Sequence, residues 1–200
     1  MERKGPTVDK AKKGLPKGWT ESPFISRIIA DRFVTFKTPL CSFYDEFRPQ
    51  FSKTFTPNDV LTHENLEKRR MELWIDITDT DRFYRVEEVR SHGCRYLKLP
   101  LEYQNCIPTE TDIWNFNFQI DKFLTLHPDG LIGVHSTNGV NQPGFLICAY
   151  ICARMKWPLE QAISEVTKKQ EGGIIQRQYL DKLHHLYVTN QKPEWSYGFR

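Results

Sequence analysis

Residues 131–145 read LIGVHSTNGVNQPGF, and their order suggests anion chemistry. An apolar run ends at His135. A small polar loop with one glycine follows, and then the apolar stretch GFLICAYICARM. A loop between a strand and a helix start aims backbone N–H groups at one place, and the helix dipole favours an anion there. Gly139 can take the positive φ that such a curl needs. Ser136, Thr137, Asn138, Val140, Asn141 and Gln142 complete a cradle for a tetrahedral anion. Two side chains could do more than bind. Ser136 carries a hydroxyl, which needs a positioned general base before it can attack phosphorus. His135 stands next to it, but no Asp is placed by the sequence to orient that imidazole. The bland alternative is an ordinary strand-to-helix turn.

The elements that must position this loop follow from periodicity. RFVTFKTPL (32–40), MELWIDITDT (71–80), CRYLKLPL (94–101) and GLIGVH (130–135) read as strands. The short, continuous apolar character of GLIGVH suits a sheet covered on both faces. Helical spacing runs through DIWNFNFQIDKFLTLH (112–127), with Thr109 or Thr111 as cap. A further helix starts near Thr56, with Pro57 at its first position and Asp59 in its first turn. ENLEKRRM (64–71), VEEVRSHG (86–93), 143–155, the segment from Pro158, and QYLDKLHHLYV (178–188) also read as helices. Strands alternating with helices predict an α/β sandwich around a central, mostly parallel sheet.

Composition narrows the function classes. A net charge of +3 over 200 residues is far below the basicity usual for a duplex-DNA binder. Five cysteines with no CxxC pair and no Cys/His ligand spacing predict neither a disulfide framework nor a metal site. No apolar run approaches membrane-spanning length, and the N-terminus has no signal-like apolar region. These features predict an intracellular, monomeric, soluble protein of nucleus or cytoplasm. Its parts are a basic arm (1–14), one domain (15–188) and a turn-rich tail (189–200).

The loop resembles the signature of cysteine-dependent phosphatases, and most of all the branch acting on RNA 5′ ends. That branch reads His-Cys-Thr-His-Gly-x-Asn-Arg-Thr-Gly-Phe/Tyr, where this chain reads HSTNGVNQPGF (135–145). GWTESPFISRIIADRFVTFKTPL, FTPNDVL, WIDITDTDRFY and YLKLPL are similar to further family segments. Residues 15–188 therefore resemble the RNA triphosphatase domain of mRNA-capping enzymes and the stand-alone RNA 5′-phosphatases. The resemblance implies a dual-specificity-phosphatase-like fold, no cofactor and no metal, and an RNA 5′ end or an RNA-processing protein as partner. It also implies roles for individual residues. Ser136 occupies the position of the nucleophilic cysteine, and Gln142 that of the arginine that clamps the phosphoryl oxygens. Pro143 stands where a hydroxyl helps the thiolate leave; with Gly144 and His135 it supports the loop. Glu110, in IPTETD, is the nearest general-acid candidate, with helix capping as its alternative role. Arg82, Arg85 and Arg177 are candidate RNA contacts, or else solvated or ion-paired. These substitutions imply a pseudophosphatase that retains a phosphate cradle. An active phosphatase using Ser136, and a pure protein-interaction module, are the alternatives.

Overall fold

The computed structural model describes residues 14–47, 55–101, 106–174 and 176–189. The basic arm up to residue 13 and the tail from residue 190 lie outside the described residues. Four strands form the sheet: β1 (Phe33–Lys37), β2 (Met71–Asp76), β3 (Arg95–Lys98) and β4 (Leu131–Ser136). All pair in parallel, in the order β1-β4-β2-β3. The helices are α1 (Pro57–Leu61), α2 (Val86–Ser91), α3 (Glu110–Leu126), α4 (Gln142–Tyr150), α5 (Leu159–Lys169) and α6 (Arg177–His184). This is the α/β architecture that the alternating strands and helices predict.

Side-chain alternation along the strands feeds two cores, one on each face of the sheet. Ile132 and Val134 of β4 pack with Ile113, Phe116 and Ile120 of α3, Phe145–Ala149 of α4, and residues of α5 and α6. Leu131 joins the opposite core with Phe36, Trp74, Trp19 and Val89. All six β4 residues are buried. Central position and cover on both faces explain why this strand reads as an unbroken apolar run.

Local chemistry fixes the helix starts. Thr56 and Thr109 each form a capping box, with Asp59 and Asp112 as the reciprocating carboxylates. Three elements differ from the sequence reading. ENLEKRRM forms only a 3-10 turn at Glu64–Leu66, because Glu67 and Lys68 take φ of 52° and 64°. Arg69 then donates to Asp31 and to the Asp129 carbonyl, and Arg70 to the His92 carbonyl. These long-range bonds anchor the chain as it enters β2. The helix expected over 143–155 is α-helical to Tyr150 and continues as a π-helical turn at Ile151–Met155. Pro158 caps α5 from outside its first turn.

Candidate phosphate-binding site

The loop of residues 137–141 connects β4 at the sheet's centre to α4. Ligands of open α/β sheets bind beyond the carboxyl ends of the strands, and this loop lies there. Gly139 has φ 72°, and a Cβ at that position would lie 2.5 Å from the Lys37 nitrogen and 2.5 Å from the Phe36 carbonyl carbon. The curl therefore presses on the end of β1 closely enough to require glycine. Thr38 N–H donates to the Thr137 carbonyl at 3.1 Å. The buried Gln170 donates to the Gly139 carbonyl at 2.5 Å.

Asn141 ends the loop with φ 60° and ψ −77°. With Gln142 N–H donating to the Val140 carbonyl at 2.8 Å, this is a γ-turn of the rare positive-φ kind. Such backbone persists only where its surroundings over-determine it. Here Asn141 Oδ1 accepts from Gln176 N–H at 3.0 Å, and Asn141 N–H reaches the Gly173 carbonyl at 3.5 Å. The segment GGIIQRQY thus braces the loop from one side.

An inventory of donors shows what the loop can bind. Gly139 N–H is spent on Ser136 Oγ at 3.1 Å and Gln142 N–H on Val140. Pro143 has no N–H. The N–H groups of Thr137, Asn138 and Val140 have no acceptor among the described residues. These three remain for an anion, at the start of a nine-residue helix.

The side chains at the chemistry-bearing positions have other engagements. Ser136 is 5% exposed, and no His, Asp or Glu among the described residues hydrogen-bonds to its Oγ. Gln142 Nε2 donates to the Cys106 carbonyl at 3.2 Å, an oxygen shared with the Tyr179 hydroxyl at 3.2 Å. Glu110 sits in the first turn of α3, 3.6 Å from Lys182. Asp112, rather than Glu110, completes the cap of that helix. Arg177 pairs with Asp181 in its own helix at 2.7 Å. Arg82 lies over the Phe83 ring, 4.8 Å from its centroid, and Arg85 is an exposed residue preceding α2. Gly144 is buried against Val166, Gln170 and Ile174.

His135 belongs to the other side of the sheet. Its ring stacks on Phe36 at 5.1 Å and meets Trp74 edge-on. Its Nε2 lies 2.7 Å from the Tyr84 hydroxyl and 3.5 Å from Asp76 Oδ1. Tyr84 accepts from Trp74 Nε1 at 2.9 Å and donates its single proton to Asp76 Oδ2 at 3.1 Å. That leaves His135 Nε2 as the donor to Tyr84, while Nδ1 has no partner among the described residues. Asp76 also accepts from Thr78, Tyr96 and Lys98. Burial alone would raise its carboxyl; His135, Lys98 and Thr78 outweigh burial and hold it well below the usual carboxylate range.

Sequence reasoning missed Asp76, Tyr84, Gln170 and Lys37. Lys37 is 1% exposed and donates to the Trp19 and Ser22 carbonyls, both at 3.0 Å. Its ammonium lies 4.0 Å from the ring centroids of Trp19 and Phe24. Burial pushes it down to about 8. It ties residues 19–24 beside the loop, where Asn138 Nδ2 donates to the Lys17 carbonyl. A lysine inside the aromatic-rich strand RFVTFKTPL was the available signal.

Comparison with known proteins identifies the class. Solved structures with this fold include human DUSP28 (TM-score 0.54, 12% identity, 90% of this chain and all of that one). PTPMT1 in complex with PI(5)P gives a TM-score of 0.58 at 18% identity, over 82% of this chain and 94% of that one. The fold is that of the dual-specificity cysteine phosphatases. No protein-family model matches.

Curated relatives narrow the family. The mRNA-capping enzyme of Caenorhabditis elegans is 37% identical over 98% of this chain and 33% of its own length. The RNA/RNP complex-1-interacting phosphatase homolog of the same organism is 32% identical over 92% of this chain and 79% of its own. The mouse mRNA-capping enzyme is 32% identical over 92% of this chain and 32% of its length. This chain belongs with them, to the RNA 5′-triphosphatase-like family within the cysteine-phosphatase fold. It spans about a third of the length of the capping enzymes. No helix among the described residues is long and apolar enough to cross a membrane.

Proposed function

We propose that this chain is a pseudophosphatase: it holds 5′-phosphorylated RNA ends in the 136–142 loop and does not hydrolyse them efficiently. Ser136 carries this reading. A serine hydroxyl stays protonated near neutral pH and attacks only with a base in hydrogen-bond reach. Ser136 Oγ instead accepts from Gly139 N–H, with no His, Asp or Glu bound to it among the described residues. His135 is committed to Tyr84 on the opposite face of the sheet.

The other positions agree. A neutral Gln142 amide bound to the Cys106 carbonyl supplies no charge to a phosphoryl transition state. Losing such a donor costs about 100-fold or more in rate. Binding survives these losses because the Thr137, Asn138 and Val140 N–H groups belong to the backbone. Kinship with the capping enzymes and the RNA/RNP complex-1-interacting phosphatases supports RNA as the carrier of the phosphate. That kinship also favours an RNA-processing setting, with a protein partner there and a nuclear address.

The test is phosphate release from γ-labelled 5′-triphosphate RNA, run beside the double substitution Ser136→Cys, Gln142→Arg. The expected outcome is no release above background by the native chain. It should nevertheless bind 5′-triphosphate RNA more tightly than 5′-hydroxyl RNA. The double variant should release phosphate at least about 100-fold faster. Native turnover abolished by Ser136→Ala would sink the pseudophosphatase reading. Equal affinity for phosphorylated and unphosphorylated RNA would sink the cradle, and leave a protein-interaction module.

A further inference from the structure

The exposed side of α3 carries a row of residues that the loop chemistry does not use. Trp114 and Phe118 are one turn apart, with ring centroids 5.3 Å apart and planes within 7°. Trp114 is 45% exposed, which is unusual for an indole on a packed helix. Lys122 continues the row one turn later and is exposed. Leu126, also exposed, closes it.

Charge along this helix is uneven. Asp112 is spent on the Thr109 cap, and Asp121 on Arg154 and Tyr150. Glu110 faces Lys182. Lys122 has no ion pair among the described residues, so it is the uncompensated charge of the row. A flat pair of aromatic rings followed by an exposed cation is the chemistry of a single-stranded nucleic-acid contact: bases stack, and a phosphate meets the ammonium.

The row also has a physical link to the loop. Gln142, at the start of α4, holds the Cys106 carbonyl, three residues before the Thr109 cap of α3. From that end of α3, Trp114, Phe118 and Lys122 follow at about 6, 12 and 18 Å along the axis.

We propose that Trp114, Phe118 and Lys122 form a stacking platform for the nucleotides behind the 5′ end of a single-stranded RNA. This rests on the reading of the 136–142 loop as a 5′-phosphate cradle. It adds a second subsite that recognises bases without reading their sequence, since every base has a π-face.

The experiment measures binding of a 3′-labelled RNA decamer bearing a 5′-triphosphate, of its 5′-hydroxyl counterpart, and of inorganic triphosphate as competitor. The proteins are the native chain, Trp114→Ala, Trp114→Phe and Val140→Glu. Val140→Glu places a carboxylate beside the free loop donors. Trp114→Ala should weaken decamer binding about tenfold, leave competition by inorganic triphosphate unchanged, and be rescued by Trp114→Phe. Val140→Glu should weaken both. Native-like decamer affinity in Trp114→Ala overturns the platform, and with a Val140→Glu defect it leaves the cradle standing and Trp114 as a contact for protein. If 5′-phosphates make no difference yet Trp114→Ala still loses the RNA, the cradle fails and the platform stands.

Discussion

His135 and Ser136 are consecutive residues of β4, yet they serve opposite sides of the sheet. Behind the strand, His135 enters a buried network in which Asp76 accepts from Thr78, Tyr84, Tyr96 and Lys98. In front, Ser136 takes one bond from its own loop, and three backbone donors beyond it are unspent. The rear side is wired through side chains, so it depends on residue identity. The front side is built from backbone, so it depends on conformation. On the proposed reading, Ser136 and Gln142 at the front remove chemistry and leave the shape of the loop. That shape is maintained from behind and beside, by Lys37, Gln170 and Gln176.

The contrast is tested most severely by removing one acceptor on each side. Asp76→Ala takes the carboxylate acceptor from Tyr84, Tyr96 and Thr78, while Lys98 keeps Asp81 and the Thr80 carbonyl; each buried donor left without an acceptor costs about 1–3 kcal/mol. Ser136→Ala removes a single loop bond and should cost about 1 kcal/mol. Urea unfolding of both variants measures the difference; equal costs would dissolve the distinction. Because the Asp76 carboxyl lies below its unfolded value, its contribution is present above the usual carboxylate range. It is lost progressively as pH falls below that range toward the strongly depressed folded-state value, and Asp76→Ala should remove this part of the acid limb.

Lys37 extends the comparison to the alkaline range, with a slope of the same sign. Burial lowers its ammonium from 10.5 to about 8, so between those values the unfolded chain binds more protons than the folded one. Stability attributable to Lys37 should therefore rise as pH increases from about 8 to about 10.5. Thermal unfolding across that window, against Lys37→Met, reads it directly. A slope unchanged in the variant would mean that burial does not lower the proton affinity of Lys37.

The smallest effect is expected at Arg177. Its guanidinium is exposed and paired within its own helix. Exposed ion pairs of this spacing contribute about 0.3–0.5 kcal/mol. Arg177→Ala should leave stability within about 0.5 kcal/mol and should not change RNA affinity. A large loss of RNA binding would show that the front of the site recruits side-chain charge after all.

Much of this site was legible along the chain. The Thr56 and Thr109 caps, the apolar β4 and the glycine curl are written in residues a few positions apart. ENLEKRRM misled because its helical periodicity competes with Arg69 and Arg70, whose partners lie 22 to 60 residues away. The Asp76–Tyr84–His135 network was invisible for the same reason, since its members are 8 and 51 residues apart.

The sequence by itself determined the strand, the loop, the helix start and the substitutions within them, because those are matters of local propensity and residue chemistry. Only the tertiary structure decided that His135 turns away from Ser136, that Gln142 serves Cys106, and that Trp114 stands in solvent. Each depends on which face of the sheet or helix meets the core, and that is settled by distant parts of the chain packing together.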